Sequence, residues 1–546
     1  MATMNKSRNT IKKDTKTTKN HEGSTVHQLN ALETLFSQVL GSMFGESTYY
    51  EKRTAEGDFK KLCKTIAEVD DEDKEYVLKI AHIGREYNMI QYPLAVLTAC
   101  MNDDRFKGDF IDENTGRNKL HTYSHYIIRR AKDITDILAM QMNVYGFEVT
   151  SKGRGKNKTY HRNQPLPIQM RKALKGKLES FNEYQLSKAL GDNREVSMAD
   201  AVKLLHPDPR RAKVSRKFFK DIIEGNVKMG NDTKQVQKEL ANVNNKNSKT
   251  TKKDVVESLD TSTVMAIVKN LVALERQGIF NDKKAVESIC KKLTDKKEVQ
   301  KSRLLPFRFY SAYKELSGIR RPSAGVRKVL DALIEALDLS IDNLPDIEGY
   351  SAILVDMSGS MGTKISSMST VTAKEVACIL GAICAKKGTA DVYLFADKCV
   401  RLEVSSKSTV MDITEKMLKT YVGGSTYLNR ALNTIKGTGT KYDNLIILSD
   451  NDCYSSYGNT FMFKGWDYNA DEAVNSCIKS GVFKKVFINN LLGNNFAIVN
   501  TDDYRKNLIT GFSERIVDVI NVYGSIGKGA SDIRVVIDSL YGSLRK

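Results

Sequence analysis

The chain has 546 residues, several times the usual size of one domain, so it must fold as two or more packed units. Hydrophobic residues make up 41% of it and prolines number only 8, which excludes a largely disordered protein. The net charge of +19 favours a polyanionic partner over a basic or neutral one.

Residues 1–20 are rich in Lys, Thr and Asn and lack the apolar core of a secretory signal. We therefore expect residues 1–28 to form a disordered basic arm, with a basic transit peptide as the alternative. The most apolar run, 376–385, is about half of the roughly 20 residues that a membrane span needs. The eight cysteines contain no CxxC pair, which is typical of reduced thiols in a cytoplasmic protein.

From residue 29 to residue 345 the apolar residues recur with helical spacing. In the segment 73–88, for example, Val77, Ile80 and Ala81 alternate with charged positions. The same pattern predicts helices at 93–101, 126–145, 167–181, 198–205, 263–277 and 326–337. Convincing strand alternation is absent, so we predict antiparallel helix pairs stacked as an α-solenoid, here called the helical domain.

Two polar segments interrupt this helical pattern. Residues 151–164 and 241–253 are poor in apolar side chains and rich in Gly, Asn, Ser, Thr and Lys. Such segments form exposed loops or disordered insertions. The first contains Lys152, Arg154, Lys156 and Lys158.

After about residue 345 the periodicity changes to buried strands that alternate with helices. Strands are predicted at 351–356, 390–396, 400–404, 444–449 and 485–491, and helices at 371–387, 410–419, 428–435, 469–479 and 513–522. This order indicates a mostly parallel, doubly wound α/β sheet over residues 346–546, here called the sheet domain. From residue 347 onward 23 Lys and Arg face 20 Asp and Glu, which leaves a charge of +16 on residues 1–346.

Oxygen-bearing side chains follow three of the predicted strands. The first strand ends in a D-x-S-x-S sequence formed by Asp356, Ser358 and Ser360, Thr426 opens a later helix, and Asp450 follows the strand 444–449. Because ligands bind at the carboxyl ends of parallel strands, we expect these side chains to meet. Carboxylate and hydroxyl oxygens suit a hard divalent cation such as Mg²⁺, although Asp and Ser are also common in turns that cap helices.

This set of loops resembles the metal-ion-dependent adhesion site (MIDAS) of von Willebrand factor A domains. The resemblance implies that Asp356, Ser358, Ser360 and Thr426 hold the metal, with Asp450 acting through water. It also implies a site that binds a carboxylate or phosphate oxygen rather than catalyses. One departure is that Asn451 and Asp452 follow Asp450, where the family often has Gly.

Four segments of the helical domain are informative as words: GESTYY at 45–50, LLHPDP at 204–209, VMAIVKNLVALERQGIF at 264–280 and LPFRFYSAYKEL at 305–316. All four resemble segments of the TROVE module of the Ro autoantigen family. The segment 507–523 is similar to the last strand and helix of the Ro A domain. The resemblance implies a monomeric ring of HEAT-like helical repeats closed by the sheet domain.

In Ro proteins the outer surface of the ring binds small noncoding Y RNAs, and the hole takes single-stranded 3′ ends of misfolded RNAs. The segment MRKALKGK at 170–177 is similar to their basic helix, on which Arg171 and Lys175 would share a face. The candidate RNA contacts are Arg171, Lys172, Lys175, Lys177, His206, Arg210, Arg211 and Lys217. Each basic residue has a solvated surface role as its alternative, and His206 has that of a buried histidine.

The sequence favours a binding protein over an enzyme. No histidine follows His206, so the sheet domain lacks a Ser-His-Asp triad of its own. A metal-dependent enzyme is the weakest alternative because no general base is evident. The stronger alternative is an adhesion-type module that captures an acidic protein ligand at the metal, with the helices as scaffold and without RNA.

Overall fold

The computed structural model describes residues 17–21, 23–41, 44–47, 51–113, 115–145, 149–152, 159–162, 166–190, 195–227, 252–367, 369–453, 470–494, 496–511 and 515–543. The helical domain is formed by helices that pack on their neighbours in the chain, such as the third on the fourth and the ninth on the tenth. In chain order they are α1 (Ala31–Gly41), α2 (Ala55–Ala67), α3 (Lys74–Glu86), α4 (Gln91–Asn102), α5 (Lys119–Ile127), α6 (Ala131–Tyr145), α7 (Ile168–Ser180), α8 (Glu183–Ser187), α9 (Met198–Leu205), α10 (Arg216–Glu224), α11 (Lys252–Leu259), α12 (Val264–Arg276), α13 (Lys283–Thr294), α14 (Lys296–Ser302), α15 (Pro306–Ser317) and α16 (Val326–Ser340).

The predicted helical solenoid is confirmed, and several of its helices begin at polar caps. The hydroxyl of Ser197 accepts a hydrogen bond from the Asp200 amide, and the Asp200 carboxylate accepts one from the Ser197 amide, which makes a capping box at α9. Apolar stripes such as Val77, Ile80 and Ala81 on α3 are fully buried. None of the described helices is long and apolar enough to cross a membrane.

The single helix predicted over 126–145 is divided in two. α5 ends at Ile127 and α6 begins at Ala131, because the Asp133 side chain binds the backbone between them. Its carboxylate accepts hydrogen bonds of 3.0 Å from the amides of both Arg129 and Arg130. This carboxylate satisfies backbone donors at the start of α6 that no helical carbonyl reaches.

The first polar segment is not wholly irregular, contrary to the expectation of a loop or disordered insertion. β3 (Val149–Lys152) and β4 (Thr159–Arg162) pair antiparallel, with Val149 opposite Arg162. Both strands contain β-branched residues, which favour extended backbone. Arg154, Lys156 and Lys158 lie outside the described residues, as does most of the segment 241–253.

The expected disordered arm is wrong for residues 17–28. β1 (Thr17–Lys19) and β2 (Thr25–Gln28) form a hairpin, and β2 pairs antiparallel with β10 (Phe496–Ala497) of the sheet domain. This pairing satisfies the backbone of β2 and buries Val26, which is why the segment is ordered. Residues 1–16 lie outside the described part of the chain.

The sheet domain is the predicted doubly wound α/β fold. Its described strands are β5 (Tyr350–Asp356), β6 (Thr389–Phe395), β7 (Cys399–Leu402), β8 (Tyr442–Ser449), β9 (Phe483–Asn490) and β11 (Lys506–Thr510). They lie in the order β11-β9-β8-β5-β6-β7, and among them only β7 runs antiparallel to its neighbour. The helices are α17 (Ala373–Lys387), α18 (Val410–Lys419), α19 (Leu428–Gly437), α20 (Ala470–Lys479), α21 (Ile516–Ile526) and α22 (Ile533–Ser543).

The two faces of the sheet bury different cores. Ile353 and Val355 of β5 join a core that includes α17 and continues into the helical domain. Ala352 and Leu354 point to the other face, where α19 and α20 cover them. Alternate residues of a strand face opposite sides of the sheet. Because both faces are covered here, nearly every residue of β5 is apolar.

The sheet domain closes the helical ring from both ends. At the first end, α22 packs on α3, and the Asp538 carboxylate accepts hydrogen bonds from the Tyr76 hydroxyl at 2.9 Å and from Lys79 Nζ at 2.5 Å. Gly511 follows β11 with φ +115°, and a Cβ built there would lie 2.4 Å from the Leu40 carbonyl oxygen. Only glycine permits this close approach of α1 to the sheet.

At the other end, α15 and α16 pack against α17 and α18. The Glu375 carboxylate, at the start of α17, accepts hydrogen bonds from the Tyr310 hydroxyl at 2.9 Å and from Lys314 Nζ. Burial alone would raise the pKa of Glu375, but its bonds to Lys314, Thr372 and Tyr310 lower it below the usual value. The junction therefore contains a carboxylate held in its charged form.

A buried ion pair fixes the corner where α3, α5 and α6 meet. Arg85 is 4% exposed and Asp133 is fully buried, and their side chains lie 2.7 Å apart. Replacing Asp133 with Asn should therefore leave Arg85 buried without a counter-charge. We expect chemical denaturation to show a loss of about 3–5 kcal/mol in the free energy of unfolding.

The matched control is Asp104→Asn. Asp104 pairs with Lys107 at the surface, and its side chain is 92% exposed. Because exposed pairs contribute about 0–1 kcal/mol, this variant should unfold close to wild type. Equal losses in the two variants would contradict the role assigned to Asp133.

Candidate functional site

The predicted basic helix is α7, and it presents cations on its solvent side. Met170 and Leu174 are fully buried and fix the helix against its neighbours α5, α6 and α9. Arg171 and Lys172 are exposed, and Lys175 is half-buried. Arg171 and Lys175 lie one helical turn apart, so they share a face as predicted.

Lys177, near the end of α7, is held more tightly than the other three. Its Nζ donates a hydrogen bond of 2.8 Å to the His125 carbonyl and lies 5.6 Å from the centre of the Phe181 ring. Burial together with the positive charges of Arg129 and Lys213 lowers the pKa of Lys177. Three cations from different elements are therefore near one another at this end of α7.

His206 follows α9 and is exposed, so the alternative of a buried histidine is wrong. Its backbone adopts the left-handed conformation with φ 48°, and its amide donates to the Val202 carbonyl at 3.1 Å. A left-handed residue ends a helix and turns the chain, which directs the imidazole away from the core.

The other predicted cations after α9 are also exposed. Arg210 has a side chain that is 90% exposed and pairs with Asp208 at 3.2 Å. Arg211 and Lys217 lie on the surface, on the loop after α9 and on α10 respectively. No described contact joins Lys217 to α7, so the structure does not group it with the α7 cations.

Glu179 joins the loop after α9 to the end of α7. Its carboxylate accepts a hydrogen bond of 2.7 Å from the Asp208 amide, and its carbonyl accepts one of 2.9 Å from the Lys213 amide. Glu179 is itself only 8% exposed. The loop is thus fixed against α7, and Lys213 is placed beside Lys177.

The pKa of His125 depends on the positive charges of this surface. Burial, Lys177 and Lys213 all lower its pKa, because each of them disfavours a charged imidazole. Cations from α7, from the loop after α9 and from the α5–α6 turn thus lie close together. We call this set the basic face: Arg129, Arg171, Lys172, Lys175, Lys177 and Lys213.

The second predicted site lies at the carboxyl end of β5. Asp356 is fully buried, and its two oxygens accept hydrogen bonds from the Ser358 amide at 2.9 Å and from the Ser449 hydroxyl at 2.6 Å. The hydroxyl oxygens of Ser358 and Ser360 lie 3.2 Å apart. The D-x-S-x-S sequence therefore gathers one carboxylate and two hydroxyls, as predicted.

The loop that carries Thr426 is tied to this turn through the backbone. The Gly359 amide donates to the Gly424 carbonyl at 2.8 Å. Asp397 accepts hydrogen bonds from the amides of Gly424 at 2.9 Å and Ser425 at 3.3 Å, which fixes the loop from the other side. Thr426 is 4% exposed and lies just before the start of α19.

The third loop contributes Asp450, and the polar residues after it are buried with it. Asp450, Asn451 and Asp452 are all fully buried, and Asp450 accepts a hydrogen bond from the Asp452 amide at 3.1 Å. Asn451 has φ 67°, a conformation that Asn tolerates better than most residues and that suits the Gly common in related loops. Burial and the charge of Asp450 raise the pKa of both Asp356 and Asp452.

The N-terminal hairpin covers this third loop. The His21 amide donates to the Asp452 carboxylate at 3.1 Å, and the imidazole Nδ1 lies 3.2 Å from both of its oxygens. The Asn20 side-chain amide donates to the Cys453 carbonyl at 2.9 Å. Sequence reasoning did not anticipate these contacts, since their partners are over 400 residues apart.

The residues at the three loops fit a hard divalent cation. Two buried carboxylates, Asp356 and Asp450, repel each other at one sheet edge beside two adjacent hydroxyls, and a cation would compensate that repulsion. The described residues contain no group of three or more His, Cys, Asp or Glu placed to hold a metal. A cation here would therefore need hydroxyl oxygens among its ligands.

Two protein-family models match adjoining parts of the chain in the order expected from the fold. The TROVE domain matches residues 244–324, and the Ro60 vWA domain matches residues 351–523. The chain therefore contains a TROVE domain and a von Willebrand factor A (vWA) domain of the Ro60 type. The vWA domain lies in the sheet domain, and the TROVE domain lies in the helical domain.

Two known proteins are similar to larger parts of this chain. It is 23% identical over 270 residues to the RNA-binding protein RO60 of Caenorhabditis elegans, an alignment that covers 47% of this chain and 39% of that relative. The solved structure of the Ro (RSR) protein of Deinococcus radiodurans matches with a TM-score of 0.56 at 16% identity. That match covers 94% of this chain and all of the other, which supports a shared fold.

Sequence reasoning missed the part of the basic face that α5 and α6 supply. Arg129 stands at the break between them, and a helix predicted straight through 126–145 would have placed it elsewhere. The adjacent pair Arg129-Arg130, next to two histidines at 121 and 125, was the only available signal. Lys152, in β3, has a side chain outside the described part of the protein.

The pKa of His125 tests whether Lys213 lies close to it. Replacing Lys213 with Ala removes one of the positive charges that disfavour the imidazolium, so the pKa of His125 should rise. NMR titration of ¹³C-labelled histidines measures it. Lys220→Ala, on exposed α10, is the control and should leave His125 unchanged, and a rise of equal size in both variants would refute the proximity.

Proposed function

We propose that this protein is a member of the Ro family and binds a small structured RNA of the Y-like type along its basic face. The supporting observation is that hydrogen bonds join the three elements that carry Arg129, Lys177 and Lys213. Lys177 Nζ donates to the His125 carbonyl at 2.8 Å, Arg129 Nε donates to the Tyr126 carbonyl at 3.1 Å, and the Lys213 amide donates to the Glu179 carbonyl of α7 at 2.9 Å. Like charges repel, so a fold that fixes them side by side favours a ligand with closely spaced negative charges. An RNA backbone has that spacing, and lysine and arginine contacts to phosphates dominate the affinity of such complexes.

The proposal covers both double-stranded and single-stranded RNA. Double-stranded RNA is recognised mainly by shape and backbone, which suits a fixed helix such as α7 that carries Arg171 and Lys175. Arg210, exposed on the loop after α9, extends the cationic surface, and the exposed His206 adds an imidazole that could hydrogen-bond a base or phosphate. Single-stranded 3′ ends of misfolded RNA would occupy the hole of the ring.

Reversing two charges of α7 tests this function. The double variant Arg171→Glu, Lys175→Glu should weaken binding of a structured RNA by about 10-fold or more in moderate salt, because two phosphate contacts become repulsive. The slope of log affinity against log salt should also fall in magnitude, by about 0.7–0.9 for each phosphate that is no longer neutralised. Filter binding or fluorescence anisotropy over a salt series measures both quantities.

The control is Lys283→Glu, Lys284→Glu. These exposed residues lie at the start of α13, and the change in net charge is the same. Their reversal should leave most of the affinity intact. Equal losses of affinity in the two double variants would mean that overall charge, and not the α7 surface, drives binding.

We propose further that the sheet domain holds a divalent cation, Mg²⁺ by the chemistry of its ligands. Asp356, Ser358, Ser360 and Thr426 would hold it, with Asp450 acting through water. When bound, it would offer an open coordination position to a carboxylate or phosphate oxygen of a partner. The backbone bonds of Gly359 and of the Asp397 carboxylate keep the first two loops in place for this role.

Thermal unfolding with and without Mg²⁺ tests this site. In wild-type protein, Mg²⁺ at 100 times its Kd should stabilise the fold by about 2.7 kcal/mol and raise the Tm. Asp356→Asn should remove the Mg²⁺-dependent shift because a main anionic ligand is missing. Asp412→Asn, on exposed α18, should keep it, and a shift that persists in Asp356→Asn would argue against this site.

A second candidate function is the capture of an acidic protein ligand at the same cation. The observation in its favour is Tyr421, an aromatic side chain that is 86% exposed on the loop that leads to Thr426. Exposed aromatic residues are enriched where proteins bind one another. Under this alternative, Asp356→Asn would abolish partner binding, whereas reversal of the α7 charges would not.

We also propose that the protein works as a monomer in the cytoplasm, and without catalysis. All eight cysteines are free, which suits a reducing compartment. The ring is closed within one chain, so the basic face needs no second copy to form. His21, the histidine beside the sheet-domain site, contacts the Asp452 carboxylate, an arrangement that positions the hairpin rather than a nucleophile.

A further inference from the structure

Tyr126 is an exposed aromatic ring beside the basic face. It lies at the carboxyl end of α5 and is 43% exposed. Its ring stacks on His82, with centroids 4.9 Å apart and planes inclined by 12°. The His125 ring also meets Tyr126 edge-on, with centroids 6.4 Å apart, so two imidazoles position the tyrosine while much of its side chain stays exposed.

The support under Tyr126 is rigid. The His82 side chain is 8% exposed, and its ring meets the edge of Tyr541 of α22 at 5.3 Å. The His82 Nε2 also lies 3.5 Å from the Glu86 carboxylate. A ring held in this way has little rotamer freedom left to lose when a ligand stacks on it.

Two cations are held by backbone carbonyls next to this ring. Arg129 Nε donates to the Tyr126 carbonyl at 3.1 Å, Arg129 Nη1 donates to the Arg85 carbonyl at 3.0 Å, and its guanidinium also pairs with Glu86. The Lys177 ammonium reaches the carbonyl of His125, the residue before Tyr126, at 2.8 Å. An aromatic platform and fixed positive charges therefore share one small surface.

A flat ring flanked by cations matches one class of ligand. Proteins that bind single-stranded nucleic acid stack bases on aromatic side chains while lysine and arginine contact the backbone. A protein ligand of this surface would need acidic side chains, but nothing would require its contact with the ring to be planar. The combination of planarity and negative charge favours a nucleotide within a chain.

We propose that Tyr126 stacks an unpaired base of the bound RNA, and that Arg129, Lys177 and Lys213 contact the phosphates on either side of it. This inference rests on the proposed RNA-binding function and adds to it a contact with unpaired nucleotides on the basic face. Stacking discriminates little among bases, so the contact would be tolerant of sequence. The contact would let the protein distinguish an RNA with a loop or tail from a fully paired one.

Two RNA probes separate stacking from backbone binding. The first is a single strand of about 12 nucleotides with 2-aminopurine at every third position, and the second is a blunt duplex. In wild-type protein the 2-aminopurine fluorescence should be quenched on binding, since stacking on an aromatic ring quenches it. Tyr126→Leu should lose most of the quenching and weaken single-strand binding by about 5- to 100-fold, while duplex affinity stays within about twofold.

Three controls accompany this variant. Tyr126→Phe keeps the ring and should keep both affinity and quenching. Tyr421→Leu removes the most exposed tyrosine of the described residues, on the sheet domain, and should behave as wild type. Matched thermal unfolding of all variants guards against a folding defect, which the partial exposure of Tyr126 makes small.

Several outcomes would overturn the proposal. If Tyr126→Leu keeps wild-type quenching and affinity, the ring does not stack a base, and a protein contact would be the remaining role for it. If free AMP displaces the single strand, the site binds mononucleotides instead. If the duplex binds through Arg171 and Lys175 but the single strand ignores Tyr126, only the stacking contact fails. If wild-type protein binds neither RNA, the RNA-binding function fails with it.

Discussion

Carboxylates beneath the surface and at its margin hold the cations of the basic face in place. The fully buried Asp133 accepts a hydrogen bond from the Arg129 amide, Glu86 pairs with the Arg129 guanidinium, and Glu179 fixes the loop of Lys213. Without these anchors, mutual repulsion would spread the positive side chains over the surface. The density of positive charge at α7 therefore depends on acidic groups, although these same groups lower the net positive charge of the chain.

The sheet domain shows the opposite arrangement. Asp356 and Asp450 lie at the carboxyl ends of the neighbouring strands β5 and β8, and burial together with the negative charge of Asp450 raises the pKa of Asp356. The hairpin of β1 and β2 adds His21 beside Asp452, at the far side of the same loop. One domain thus concentrates positive charge on its surface, whereas the other buries negative charge at a site suited to a cation.

Much of this organisation followed from local patterns in the chain. The change from helical to strand periodicity near residue 345 predicted two domains, and D-x-S-x-S predicted the turn at Asp356 with its neighbouring loops. Patterns of this kind depend on residues that are close in sequence. The contact of His21 with Asp452 and the pairing of β2 with β10 join residues far apart, and nothing local in residues 17–28 signals a partner.

Other features escaped prediction for local reasons. The break between α5 and α6 depends on the Asp133 side chain, which competes with the helix for backbone donors although the apolar spacing runs on. α22 was not predicted either, because its apolar residues are interspersed with Gly and Ser near the end of the chain. The Mg²⁺ site and the RNA contacts remain predictions that rest on geometry and charge.

Closure of the ring has a consequence for how the protein folds during synthesis. The contact between Tyr76 and Asp538 joins residues 462 positions apart, so α3 leaves the ribosome long before its partner α22 exists. Contacts of such large sequence separation form slowly and leave apolar surface uncovered in the meantime. The nascent helical arc must therefore stay soluble as an open crescent, and its many surface lysines and arginines would help to keep neighbouring crescents apart.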